Sequence, residues 1–422
     1  MAVAASLQDP AEDGTVLSAY EESVVDYSSD RDLADPIHRL RQLVENGSLK
    51  LDYDEHKGYL PALLKALDVP VSSQLLVFSK TSSQAPFTSP KTPRALYFND
   101  TVFVGWAQGS GVIDLTAIDP KKGPIFYVLE QSRLKPKFER RLDCISCHIG
   151  PKTLDVPGLV VRSVYTEPNG DASAMVDGFV SGHNNPLRQR WGGWYVTGEH
   201  GSDVHMGNAF FKESQHASIN LKGTSNWTTL DDQFDTSKYL TPHSDAVALL
   251  VLDHAVRMQV YFTRARYETL FAQDEIKRKP DDKNVALWSD DRIRLAGEEL
   301  LAYLLFRDEA PLHGPISGTS GFERDFLANG PRDSKGRSLR EFDLVKRVFK
   351  YPCSYLIYSD SFQEIPDPMK GYLWKRLDEI LTGRDRGGLY AGMDDSDRRA
   401  VLEILTDTLP AFRDWRKANA RR

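Results

Sequence analysis

Apolar residues recur at helical spacing mainly in the second half of the chain. From Asp245 to Phe271 the stripe runs through Ala248, Leu249, Leu252, Val256, Val260 and Leu270 and predicts a long helix. Asp290 to Phe306 predicts another, and residues 340–350, 370–382, 395–405 and Phe412 to Ala420 carry shorter helical patterns. Near the start, Pro36 to Leu49 places Ile37, Leu40, Leu43 and Val44 on one face, with Pro36 suited to a first turn. Gly58 to Leu67 predicts a further short helix. Between these regions the period changes. Ala95–Phe98, Thr101–Trp106, Val112–Leu115, Pro124–Leu129, Leu159–Tyr165 and Trp194–Thr197 are short β-like runs separated by turns rich in Gly and Asp. Residues 79–95 are rich in Ser, Thr and Pro and predict an ordered loop. The first 30 residues are acidic and weakly patterned and predict a mobile arm. The expected fold is mixed α+β, with a short, irregular β-rich region and a mainly α-helical C-terminal half. The expected divisions are an arm with short helices (1–74), a β-rich region (75–240) and a helical region (241–422) packed with it as one unit. There is no internal repeat or heptad array.

Composition narrows the function classes. The 422 residues carry a formal charge of -7, which gives nucleic-acid binding no bulk support. The local run from Lys135 to Arg141 is basic and reads as a solvated rim, or as a patch that steers an anionic partner. No continuous apolar run reaches the roughly 18 residues of a membrane helix. The opening MAVAASLQDP lacks the basic start and apolar core of a secretory signal. Three cysteines make no disulfide framework, and Cys353, inside Tyr351–Tyr358, is expected to be a buried small side chain.

The other two cysteines stand in RRLDCISCHIG, residues 140–150. Two thiols at i and i+3 followed by an imidazole have a specific use. Cys144 and Cys147 can form thioethers with the two vinyl groups of haem, and His148 can ligate its iron. A structural zinc site needs a second pair of ligands, and no such Cys/His pair follows. A thioredoxin-like dithiol needs an apolar strand before it, and Arg140-Arg141-Leu142-Asp143 is a poor one. Zinc, dithiol and a structural CxxC without haem remain alternatives. One motif implies one covalently attached haem c, with its iron, per chain. Because such haem is attached outside the cytoplasm, this reading predicts a periplasmic or otherwise exported protein.

Beyond CISCH at 144–148, several blocks resemble a poorly characterised family of bacterial cytochrome c-like proteins. They are Ser79–Gln84, Pro157-Gly158 with Val161-Arg162-Ser163, Arg190–Gly198, His205–Asn208, Val251–His254, Gly330–Leu339 and Tyr351–Tyr358. The resemblance spans roughly residues 75–410. It implies haem and an exported location without a defined substrate, and a fold other than the small all-helical cytochrome c fold along most of the chain.

The second face of the iron decides between electron transfer and catalysis. His205 and Met206 are candidate second ligands. His254, with Met258 one turn on, is a candidate ligand or distal base, and His200 precedes the pair at 205–206. Arg162, Arg188 and Arg190 are candidate partners for the haem propionates. Trp191 and Trp194 are candidates to pack on the macrocycle, while Tyr127, Tyr165 and Tyr195 are pocket phenols or plain packing. A peroxidatic site needs an imidazole base and a cation, which His205 or His254 with Arg190 supplies by residue type. No GxSxG, HExxH or Walker loop supports hydrolysis. Two readings follow. One is a haem-dependent peroxidase or oxidase acting on a small molecule. The other is an electron-transfer cytochrome with six-coordinate haem, serving a redox partner protein or a small-molecule donor or acceptor. Oligomerisation is open in both.

Overall fold

All but one of the β-like runs join in one sheet more regular than the sequence predicts. The computed structural model describes residues 24–173, 178–211, 221–385 and 387–419. In chain order its helices and strands begin with α1 (Pro36–Glu45), α2 (Leu60–Ala66), β1 (Leu75–Val77), β2 (Arg94–Phe98), β3 (Val102–Trp106), β4 (Val112–Asp119), β5 (Gly123–Glu130) and β6 (Lys137–Arg140). A single helical turn, α3 (Ile145–His148), follows, then β7 (Arg162–Ser163), β8 (Phe179–Val180) and β9 (Trp194–Tyr195). The helical half holds α4 (Ala246–Arg278), α5 (Lys283–Leu304), α6 (Phe322–Leu327), α7 (Asp360–Gln363), α8 (Asp367–Leu381), α9 (Asp395–Thr408) and α10 (Pro410–Asn419).

The fold is mixed α+β. Seven antiparallel strands lie in the order β6-β5-β4-β3-β2-β1-β9, and β7 pairs separately with β8. Strand period sorts the side chains into two faces. Leu76, Tyr97, Val104, Leu115, Ile125 and Leu129 join α1, α2 and Tyr27 in one core. Leu75, Val77, Phe98, Phe103 and Ile118, on the opposite face, join a second core built around α4.

α4 is the spine of that second core. Its 33 residues span about 50 Å. From Ala246 to Val256 every residue is buried. It is long and apolar enough to cross a bilayer, although no continuous apolar run reveals this, yet 89% of its most apolar 18-residue window is buried inside the protein. Asp245 caps it, accepting from Val247 N and Ala248 N, while its second oxygen accepts from Thr319 N, Ser320 N and Ser320 Oγ.

Several expectations change. Residues 340–350 are not a helix. Asp343 accepts from Val345 N and Lys346 N, Leu344 sits at φ 55°, and Phe342 bridges Phe349, so local side-chain bonds replace a helical ladder. The run 159–165 contributes only β7, because Val164 N donates to Gly192 O and the carbonyl of Val161 receives Ser181 N. The mobile arm falls largely on residues 1–23, outside the described residues. Residues 24–30 are pinned. Tyr27 is buried and donates to Pro124 O, Arg140 donates to Ser28 O, and Lys122 Nζ donates to Asp26 O and Ser29 O. The loop at 79–95 is an ordered wrap, with Gln84 donating to Val112 O and Ser83 to Asp114.

Replacing Asp245 by Ala strips the α4 cap and the 319–320 turn of a shared acceptor. Chemical denaturation is expected to show a loss of about 2–4 kcal/mol.

Candidate functional site

The CxxCH segment occupies the one-turn helix α3. Ile145 is buried and anchors the turn, while Ser146 bonds back to Asp143 O through N–H and hydroxyl. Residues three apart share a helical face. Cys144 is therefore half-buried and Cys147 exposed on one side of the turn, both as free thiols. Burial, then the adjacent Asp143 carboxylate, push the Cys144 thiol up to about 11. A nucleophilic dithiol needs the opposite shift.

His148 is held from behind. Its ring Nδ1 lies 2.9 Å from Gly158 O, and Gly158 N donates to His148 O at 2.9 Å. A carbonyl only accepts, so Nδ1 carries the proton and Nε2 is left as a bare lone pair. Burial lowers the pKa of the ring, favouring the neutral form. Phe126 lies against it, centroids 4.6 Å apart and planes at 34°. Gly158 is required for this approach, since a Cβ there would sit 2.8 Å from Val260 Cγ2 on α4 and 2.9 Å from Thr153 Cβ.

This donor set fits a c-type haem. Two thiols share a face, one half-buried and one exposed, and a neutral imidazole has one nitrogen fixed by a carbonyl and the other left as an acceptor. Among the described residues no group of three or more His, Cys, Asp or Glu side chains converges in the manner of a metal cage. Arg162 adds a buried Nε with no hydrogen-bond partner among the described residues. Trp194 donates its indole N–H to Arg162 O and pairs with Val77, beside Arg94 in the sheet.

The remaining predicted residues gather elsewhere. Arg190 is 1% exposed and donates to Asn185 O and His183 O, with Nη1 3.6 Å from Asp253 Oδ2. Trp191, at φ 70°, donates to the same Oδ2 at 3.0 Å. His254 shares an Nδ1–Nδ1 hydrogen bond of 3.0 Å with His183, and its Nε2 lies 2.7 Å from Ser354 Oγ. His205 is buried against Trp191 and His200, and neither ring nitrogen makes a well-formed hydrogen bond among the described residues. Met206 is buried beside Ser163, Met258 is fully buried, and His200 bonds Asp203 O and Asn226 N. Arg188 is exposed. Tyr127 donates to Asp35 and Tyr195 to Pro90 O, whereas Tyr165 packs edge-on to Phe211. Cys353 is buried, as expected.

The structure thus brings Arg190, Trp191, His205 and His254 into one buried polar cluster with His183 and Asp253. The contacts of His148 are made with a different set of residues. Sequence reading missed Phe126 and Gly158 at the motif, and His183 and Asp253 in the cluster. His183 lies in the loop Gly182–Asn185, and its link to His254 has no signal in spacing. Phe306, whose ring lies 4.6 Å from that of His183 and 4.5 Å from that of His254, also lines a cavity of about 290 Å³ with Glu309, Arg347, Tyr390 and Asp397. No family model, curated protein or solved structure matches this chain.

Burial lowers His254 to about 3, and burial followed by His200 lowers His205 to about 3. An unfolded histidine protonates near pH 6.5. Stability from these neutral rings is therefore complete above pH 6.5 and lost as pH falls toward 3. Burial raises Asp253 to about 6, which opposes part of that loss between about pH 6 and 4. His254→Gln is expected to lower the melting temperature at pH 7 and to flatten its fall between pH 6.5 and 4, read by thermal denaturation at a series of pH values. In the haem-free chain, alkylation is expected to label Cys147 first, Cys144 at a rate still rising above pH 9, and Cys353 only on unfolding. Mass spectrometry of peptides resolves the order.

Proposed function

We propose that this chain is a mono-haem c-type redox protein, with Cys144 and Cys147 as the attachment thiols and His148 Nε2 as an axial ligand. The observation that carries the reading is the reciprocal bond between His148 and Gly158, which leaves one neutral imidazole nitrogen free beside two thiols on one helical turn. Arg162 suits a propionate through its unpartnered Nε, and Trp194 suits the edge of the macrocycle. Haem supplies one-electron chemistry, and the protein's part is to hold it, set its surroundings and control access. The likeness to bacterial cytochrome c-like proteins and the exported, periplasmic location belong to the same proposal.

Within this reading we favour a haem-dependent oxidoreductase acting on a small molecule. The candidates for a strong second ligand, His205, Met206 and His254, each have neighbours in the buried cluster or beside Ser163, which supports an accessible second position. His205, His254 and Arg190, the candidates for distal base and cation, make their contacts within that cluster and not with His148. The carrier reading draws on the exposed Cys147, which would bring a haem edge to the surface where a partner protein can dock.

Expression of the chain with an export signal and haem-maturation machinery tests the proposal. A pyridine haemochrome assay is expected to give one covalent haem per chain, and a colourless product would overturn it. His148→Ala is expected to keep the thioethers and change the visible spectrum, and an unchanged spectrum would remove His148 as ligand. Fast CO binding by the ferrous protein is expected for the oxidoreductase. Binding only after denaturation would make it a carrier.

A further inference from the structure

The face of the sheet that carries Phe126 also carries a charged pair that the motif itself does not reveal. Register places Arg94 on β2, Gly105 on β3 and Asp114 on β4 on that face. Two strand spacings separate β2 from β4, about 10 Å. Arg94 spans that gap because the intervening residue is glycine. A Cβ at Gly105 would lie 1.9 Å from Arg94 Nη2. Across this lane Nη2 meets Asp114 Oδ2 at 3.1 Å, with 15% and 22% of the two side chains exposed. Both ends are braced. Arg94 Nε donates to Gln84 Oε1 at 2.8 Å, and Ser83 Oγ donates to Asp114 Oδ2 at 2.8 Å. Gln84 is itself fixed to Val112 O.

A largely covered ion pair is a costly way to hold a sheet together, since apolar side chains of the same volume do it as well. Its position gives it another use. Asp114 pairs with Val128 and Thr116 with Phe126, so Asp114 lies one diagonal step from the ring that supports His148. Such neighbours are about 7–8 Å apart.

We propose that the Arg94–Asp114 pair, aligned across Gly105, tunes the reduction potential of a haem held by His148. The inference rests on the haem reading above. A cation near the iron disfavours the ferric state and raises the potential, and an anion lowers it. Arg94 and Asp114 are positioning and field-setting residues here, acting through space on the imidazole and the iron.

The test is a spectroelectrochemical titration of the haem-loaded full chain, with haem content and near-ultraviolet dichroism recorded for each variant. Arg94→Gln is expected to shift the midpoint downward and Asp114→Asn upward. Gly105→Ala keeps every charge but closes the lane, so Arg94 swings away and the shift is again downward. Arg94→Lys is expected to restore much of the Arg94→Gln loss. If Arg94→Gln does not accumulate, Gly105→Ala carries the same test. Midpoints equal to wild type at one haem per chain would overturn the inference, as would shifts of the same sign for Arg94→Gln and Asp114→Asn. A wild-type chain that takes no covalent haem overturns the haem reading, and this inference with it.

Discussion

A helix buried on all sides imposes its terms on everything around it. From Ala246 to Val256, α4 has no face turned to water, so each neighbouring layer is there to cover it. One face of the sheet covers part of it, α5 and α8 another part, and the loop at Gly158 approaches it closely enough to exclude any side chain. The same burial forces its polar residues to find partners inside. Asp253 takes Trp191 and Arg190, and His254 takes His183 and Ser354. An unpaired charge in that position would cost several kcal/mol. The cluster partners the groups that α4 carries inside only in part, since His183 Nε2, Arg190 Nη1, Asp253 Oδ1 and both ring nitrogens of His205 make no well-formed hydrogen bond among the described residues.

Residue type alone could not reveal this arrangement. Arginine, tryptophan and two histidines in Gly-rich loops have the chemistry of a haem pocket, and the sequence gives no distances. Arg190 resembles a propionate partner until its donors are seen on Asn185 O and His183 O. By contrast the geometry of the CxxCH turn was legible because it depends on local spacing alone. Two thiols and an imidazole within one turn keep their relation in any fold that preserves the turn.

The elements show the same division. Long periodic stretches such as α4 and α8, a partly alternating run such as β2 and a five-residue apolar run such as β3 could be read directly. β1 could not, because its three residues are all buried and show no alternation. β6 is short and mostly charged, and takes its identity from pairing with β5. Residues 340–350 have helical spacing, but Asp343 offers the backbone a competing set of bonds. Phe126 could be predicted as a strand residue. That it supports His148 depends on where the chain crosses after β6, which no local pattern encodes.

The order of the strands bears on how the molecule is made. β2 to β6 are consecutive hairpins, and the turn bearing the thiols follows directly, with its anchor at Gly158 ten residues beyond His148. These contacts are local and cheap in loop-closure entropy. The β1–β9 edge joins Leu76 to Tyr195, and Gly158 meets Val260 only when the helical half arrives. A nascent chain can therefore assemble the platform for Cys144 and Cys147 before α4 exists. Contact order therefore sets the thiol-bearing turn among the early-forming parts of the molecule and its seat against α4 among the late ones.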